Sequence, residues 1–279
     1  MTLVSIGDQV AGGTYRFHSR FNRAVNFTRA SQLVSVVTED IGPGPLNIVL
    51  CGLPAGSTRR RAAPLRVGAH TVVFEDERFA FADDHRYHST IALGHWTPLL
   101  LRHNLSLFRE LLRTTAHPKS LAFLLDNRRA AVFRSRFERA FARQAHRGAQ
   151  QVFGGRLFDG VATLRGCGFG LTPSGDDFIA GLLIGLRLLQ QTRGHDYQQT
   201  ANSVFRAAKP GNLFSRTFLD LARRGFLFGR MKDLIVALVH GDADAVRGAT
   251  GRLLAVGESS GADLATGFVL TVSGGLGVL

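Results

Sequence analysis

The sequence predicts an α+β protein: an N-terminal antiparallel β lobe, sheet or small barrel, over residues 1–95, then an all-helical lobe over 96–279. Three observations carry this. Aromatic and β-branched residues come in short runs up to about residue 92, some with period two. From Trp96 onward apolar residues recur at three- and four-residue steps. The 279 residues, 45% apolar and 20% charged, supply a core and a wetted surface, which excludes disorder, collagen and a disulfide scaffold.

The β elements follow in order. Tyr15 to Phe21 alternates aromatic and polar residues. Leu33–Thr38 and Leu46–Leu50 are β-branched runs separated by Gly42-Pro43-Gly44-Pro45. Gly68–Phe74 and Arg78–Ala82 flank the acidic turn Glu75-Asp76-Glu77. Between them Pro54 to Pro64 reads as an exposed loop. Its triplet Arg59-Arg60-Arg61 could grip an anion or simply be solvated.

The helical elements begin with the stripe Leu101, Leu105, Phe108, Leu111 and Leu112. A second helix has the stripe Phe133, Phe137, Ala140, Phe141 and Ala145, with Arg134, Arg136, Arg139, Arg143 and Arg147 around it. Further helices are expected over Pro173–Gln191, Tyr197–Ala208, Leu213–Arg224, Met231–His240 and Asp244–Val256, and a last one starts near Ser259. The helix after Pro173 is apolar on nearly every face and is therefore expected to be buried. Gly181 and Gly185, four apart on it, would let another helix backbone come close.

The net charge is +13. It is concentrated in residues 101–165, which hold 13 basic and 4 acidic side chains. Such an excess attracts anions, and the arginine helix 134–147 could lie on nucleic acid. Arginine stems covering a surface helix explain the same residues without a partner, and nucleic acid is the remote expectation. Cys51 and Cys167 are too few for a disulfide framework and fit a reducing compartment. Met1–Val10 carries Asp8 and no basic leader region, and no apolar run is long enough to span a bilayer, so a cytoplasmic protein without a membrane partner is expected.

The chemistry concentrates in Arg165-Gly166-Cys167-Gly168-Phe169-Gly170-Leu171-Thr172-Pro173-Ser174-Gly175-Asp176-Asp177. Gly166, Gly168 and Gly170 form a loop whose backbone can approach a ligand. Thr172 suits an N-cap and Pro173 the first helical position. Ser174, Gly175, Asp176 and Asp177 then open a helix whose unpaired N–H groups and dipole favour an anion. The aspartates favour the same dipole, yet repel a bare phosphate. Mg²⁺ between them would reconcile the two, and no cofactor is otherwise indicated. The spacing is neither a Walker A loop nor a GxGxxG fingerprint. A second segment, Gly257-Glu258-Ser259-Ser260-Gly261-Ala262-Asp263, joins hydroxyls and a carboxylate at another helix start. There Ser259 or Ser260 could be the N-cap with Asp263 at the second or third position. Asn212-Leu213-Phe214-Ser215 is a weaker third start. No histidine or cysteine cluster has metal-ligand spacing: His85 and His88 stand without a further ligand. Cys167, inside the loop, lacks a paired base.

The blocks GCGFGLTPSGDDFIAGLL and GESSGADLATGF resemble the AllH-type family, whose members include a subunit of bacterial oxamate carbamoyltransferase. The family's loop glycines match at Gly166, Gly168 and Gly170, and its LTPS-x-DD core at Leu171 to Ser174 with Asp176 and Asp177. Ser259 or Ser260, Gly261 and Asp263 match its second motif. The helix start with Ser215 resembles its intervening segment, and Ser19, Asn26 and Gly42-Pro43 are a fainter echo. Two positions depart: Glu258 stands where the family usually has histidine, and Phe169 where it often has proline.

The resemblance implies a transferase subunit of a multi-chain assembly. That assembly would move a carbamoyl group between carbamoyl phosphate and oxamate, in allantoin nitrogen catabolism. Its partners would be an acyl-CoA-synthetase-like subunit and a second companion subunit. In that reading Asp176, Asp177 and Asp263 are the catalytic candidates. Gly166, Gly168, Gly170, Thr172, Ser174, Gly175, Ser215, Ser259, Ser260 and Gly261 would hold the small anionic ligand. The alternative from a different class is a non-catalytic scaffold or phosphometabolite-binding subunit.

Overall fold

The computed structural model describes residues 1–53, 62–168 and 170–275. The loop with Arg59–Arg61 and the position Phe169 lie outside the described residues. The architecture is α+β, as the sequence predicts. The chain divides into two compact units, Met1–Ile91 with Phe226–Lys232, and Ala92–Gly225 with Asp233–Leu279.

The first unit is built on one nine-stranded sheet. Its strands are β1 (Thr2–Gly7), β2 (Gly13–Phe21), β3 (Ala24–Arg29), β4 (Gln32–Val37), β5 (Asn47–Cys51), β6 (Leu65–Val67), β7 (Thr71–Phe74), β8 (Glu77–Ala80) and β9 (Arg86–Tyr87). They lie in the order β8-β7-β6-β2-β3-β4-β5-β1-β9. Neighbours are antiparallel except β4 with β5 and β1 with β9, which run parallel. The acidic turn between β7 and β8 places Glu75 and Asp76 at φ 50° and 68°. Two left-handed residues in succession match the right-handed twist of a tight hairpin. The buried face carries Ile6, Tyr15, Val25, Phe27, Val36, Ile48, Leu50, Leu65 and Phe74. Phe27 and Phe74 meet edge to face at 6.0 Å. Buried Asn26 is satisfied there: its Nδ2 donates to Ser19 Oγ at 3.1 Å, and Ser35 Oγ donates to its Oδ1 at 2.7 Å. The segment 226–232 completes the unit through Leu227 N–H to Ser89 O and Gly229 N–H to Pro43 O, both 2.8 Å.

The second unit is helical: α1 (Pro98–Thr115), α2 (Arg136–Phe153), α3 (Leu157–Leu164), α4 (Ser174–Arg193), α5 (Gln198–Ala208), α6 (Leu213–Arg224), α7 (Gly229–His240, which begins in the first unit), α8 (Ala243–Leu254) and α9 (Ser260–Leu270). A short 3₁₀ turn, Leu121–Leu124, lies between α1 and α2. α2 differs from expectation. Its buried face is Phe141, Ala145, Gly148, Ala149 and Val152, while Phe137 and Ala140 are exposed and Phe133 precedes the helix. The start is set by Ser135, whose hydroxyl accepts from Glu138 N–H while the Glu138 carboxylate accepts from Ser135 N–H. This S-x-x-E box places the first turn three residues later than the apolar stripe suggested. The five arginines of 134–147 are all exposed.

α4 is the centre of this unit, buried from Ser174 through Leu186. It packs against α9, α6, α5 and α3. The Gly181 and Gly185 pair does admit a second backbone, and the partner is α9. A Cβ at Gly181 would collide with the Leu264 carbonyl oxygen, and one at Gly267 of α9 with the Phe178 carbonyl oxygen. Helices without side chains at the crossing approach until their backbones touch. Among the described residues no helix is long and apolar enough to cross a membrane.

Candidate functional site

The close crossing of α4 and α9 brings the two motifs together at their helix starts. The glycine loop enters α4 through three left-handed positions, Gly166 (φ 63°), Gly168 (φ 109°) and Gly170 (φ 92°). Side chains are strained in this region, which is why glycine occupies all three. At Gly168 a Cβ would also press on the Ser174 backbone nitrogen, and at Gly175 one would overlap the Leu164 carbonyl. Gly261 is as tightly placed, against the Leu253 carbonyl.

Two capping expectations are corrected. The N-cap of α4 is Pro173, with ψ 145°, and not Thr172. Pro173 has no N–H, and its carbonyl accepts from both Asp176 and Asp177 N–H at 2.8 and 3.1 Å. The Thr172 hydroxyl, one residue too early to cap, donates to Asp177 Oδ2 at 3.3 Å. At α9 the N-cap is Ser259, but its hydroxyl makes no capping bond. Asp263 falls one turn inside the helix, its N–H bonded to Ser259 O at 2.9 Å, and its Oδ2 accepts from Ser259 Oγ at 2.9 Å.

The hydroxyls and carboxyls pair across the crossing. The Ser260 hydroxyl of α9 faces the Asp177 carboxyl of α4, and the Ser174 hydroxyl of α4 faces the Asp263 carboxyl of α9, each favouring the charged form of the aspartate it meets. Each motif's serine thus serves the other motif's aspartate. A further donor comes from a region with no motif: Leu121 N–H, at the 3₁₀ turn, reaches Asp263 Oδ1 at 2.6 Å. Asp176 turns back to the loop and accepts from Gly166 N–H at 2.8 Å. All three aspartates are buried, whereas Thr172, Ser259 and Ser260 are half-buried at the rim.

Burial sets the electrostatics. The Asp177 carboxyl is held well above the usual carboxylate range, first by desolvation and then by the neighbouring Asp263 and Asp176, against the hydrogen bonds of Ser260 and Thr172. Desolvation pushes Asp263 up to about 7, although Leu121, Ser174 and Ser259 all donate to it. The Cys167 thiol is pushed up to about 11, by burial and then by Asp176 and Asp263, so it is a packed thiol and not a nucleophile. Among the described residues no group of three or more histidines, cysteines, aspartates and glutamates is arranged to hold a metal ion. Asp263 accepts on both oxygens, from Leu121 N–H and Ser259 Oγ, Asp177 accepts from Thr172 Oγ1, and Asp176 accepts from Gly166 N–H on Oδ1.

The third helix start touches the loop. Asn212 caps α6 by accepting from Ser215 N–H at 2.9 Å, and its Nδ2 donates to Leu171 O at 3.3 Å. Buried Ser215 is linked to the loop only through Asn212, at 3.2 Å. Glu258 is exposed, with its carboxylate 3.9 Å from His117 Nε2. A histidine therefore does stand beside this helix start, supplied by the loop after α1. Neither Leu121 nor His117 carried a local sequence signal, because their partners lie more than a hundred residues away.

The chemistry available is that of hydroxyls backed by two buried carboxyls, Asp177 and Asp263, whose affinity for a proton burial raises, Asp263 to about 7. Such carboxyls can donate hydrogen bonds to an anion as well as accept a proton. A carboxyl in its protonated form does not repel a phosphate or carboxylate, so the raised proton affinity of Asp177 and Asp263 reduces the conflict between aspartates and an anionic ligand.

No curated protein and no solved structure matches the chain. A family model does: residues 164–272, which run from the end of α3 through α9 and contain both motifs, match the family Oxamate carbamoyltransferase subunit AllH.

Proposed function

We propose that this chain is a cytoplasmic subunit of a carbamoyltransferase assembly acting on carbamoyl phosphate and oxamate. The site at the starts of α4 and α9 would handle the anionic ligand. The observation that carries this is the reciprocal pairing of Ser174 with Asp263 and Ser260 with Asp177, within the segment that matches the family. Two separate helix starts meet in one cluster whose buried carboxyls bind protons more tightly than free aspartate does.

In this reading Thr172, Ser259 and Ser260 at the rim, with the glycine loop at Gly168 and Gly170, orient the ligand's oxygens, while Gly166 shapes the loop. As the oxamate nitrogen attacks the carbamoyl carbon and the bond to phosphate breaks, one of Asp177 and Asp263, ionised, takes the proton that the nitrogen gives up, and the other, protonated, donates to the developing charge on the leaving phosphate. Asp176 holds the loop in shape through Gly166 N–H. Gly175 and Gly261 allow the close packing, and Ser215 supports the loop edge. Mg²⁺ is not required for charge balance once the carboxyls are protonated. An acyl-CoA-synthetase-like subunit and a companion chain would complete the assembly.

Reconstituted turnover of carbamoyl phosphate with oxamate tests this. Asp177→Asn keeps the shape and removes the titrating proton, and turnover is expected to fall by about 100-fold or more, the typical share of a general acid–base group. Wild-type turnover in a folded Asp177→Asn assembly would refute the assignment. A second reading, a non-catalytic ligand-binding subunit, is favoured by one observation. The N–H groups of Gly166, Cys167, Gly175, Asp176 and Asp177 are all bonded within the cluster. It predicts unchanged turnover in that variant, with ligand binding altered.

A further inference from the structure

A second cleft lies in the helical unit, away from the aspartates and independent of the function proposed above. It has a volume of about 530 Å³, within the range of small-molecule sites. One wall is a face of α1. Arg102 and Arg109 stand seven residues apart, so their Cα atoms are about 10 Å apart along the axis. Trp96 flanks the start of that helix. The last turns of α4 supply Leu189 and Arg193, and Val272 closes the apolar floor after α9. Leu189 and Val272 are buried, Trp96 is half-buried and the three arginines are exposed.

The composition of this cleft is one-sided. Three guanidiniums line it and, among the described residues, no carboxylate does. None of the three has an ion-pair partner among the described residues, although Arg113, Arg128, Arg223, Arg224 and Arg247 of the same unit all do. Like charges gathered without counter-charge repel one another, and a bound polyanion relieves that cost. Guanidiniums present paired N–H donors that match phosphate oxygens. An anion alone would leave the indole and the Leu189–Val272 floor in water. An apolar ligand alone would leave the three charges unanswered. A flat ring joined to two or more phosphates uses both.

We propose that this cleft binds a nucleoside polyphosphate, with the base against Trp96 and the apolar floor and the phosphates on Arg102, Arg109 and Arg193.

Trp96 is the chain's single tryptophan, so emission excited selectively at tryptophan, to the red of tyrosine absorption, reads this cleft in the intact protein. Titration with ADP is expected to change that emission saturably. Pyrophosphate and adenosine, each half of the ligand, are expected to bind at least about tenfold more weakly, the cost of losing one set of contacts. Arg102→Ala and Arg109→Ala are each expected to weaken ADP by about tenfold while far-UV circular dichroism stays unchanged. Asp177→Asn is expected to leave ADP binding as it is. No saturable change with ADP, or ADP binding that survives the double arginine variant, would overturn the proposal. Pyrophosphate binding as tightly as ADP would replace the class with a simple anion site. Tighter binding of an oligoadenylate strand would replace it with a nucleic-acid surface. Each of these outcomes is separable from failure of the carbamoyltransferase assignment, which is read by turnover and not by Trp96.

Discussion

The two ends of α4 carry opposite charge and treat it in opposite ways. At the N-terminal end Asp176 and Asp177 sit in the first turn, and at the C-terminal end Arg193 sits in the last. Each complements the helix dipole at its own end. At the first end, α9 closes over the aspartates, and desolvation outweighs the surrounding donors, so Asp177 and Asp263 bind protons more tightly than a free aspartate. At the second end Arg193 is exposed among the described residues, as are Arg102 and Arg109 of α1, and all three remain charged beside an apolar floor. Burial decides whether an aspartate at a helix start takes up a proton, whereas an arginine keeps its charge in either setting.

The sharpest way to break this contrast is to push α9 off α4. Gly181→Val places its Cβ against the Leu264 carbonyl oxygen, a backbone atom that cannot swing aside. Overpacking ordinarily costs about 1–3 kcal/mol, and a backbone clash at the centre of a core should exceed that, at about 4 kcal/mol or more. Thermal unfolding should fall by roughly 10 °C. A variant as stable as the wild type would mean that the two helices are not in backbone contact.

Next comes the pH dependence that burial imposes. Asp263 moves from the ordinary 3.8 when unfolded to about 7 when folded. The folded state binds the proton more tightly, so the associated stability is fully present below about 3.8 and is lost as pH rises through 7. Asp263→Asn removes the titration. The stability difference between wild type and Asp263→Asn should therefore change by about 4 kcal/mol between pH 4 and pH 8, with the wild type losing ground as pH rises. Denaturant unfolding at several pH values measures it. A flat difference would show that Asp263 is already ionised in the folded protein.

The smallest effect belongs to the other end. Arg102→Ala and Arg109→Ala are surface changes with no ion pair to lose, so stability should shift by less than about 0.5 kcal/mol. A large loss would show that these arginines are structural and would count against the cleft as a ligand site.

Much of the local structure is written in short stretches. The positive-φ glycines before α4, the cap at Asn212, the acidic hairpin turn and the buried, glycine-notched α4 all follow from a few neighbouring residues. β3 (AVNFTR) is less legible, because three successive buried residues blur its alternation. α3 (LFDGVATL) is too short for its periodicity to stand out. Thr172 has the chemistry of a cap, yet it lies one residue before the position that needs one.

The sequence by itself determined that the chain is α+β, that α4 is buried and admits a second backbone, and that two Gly-Ser-Asp segments begin helices. Each of these depends on residues within one or two turns of one another. Only the tertiary structure decided that α9 is the helix at that crossing, that serines and aspartates exchange partners between the motifs, and that Leu121 N–H completes Asp263. It also decided that Trp96, Arg102, Arg109 and Arg193 line one cleft. Partners brought together by packing leave no periodic trace in the chain, and desolvation, which places Asp263 near neutrality, exists only once the helices have closed around it.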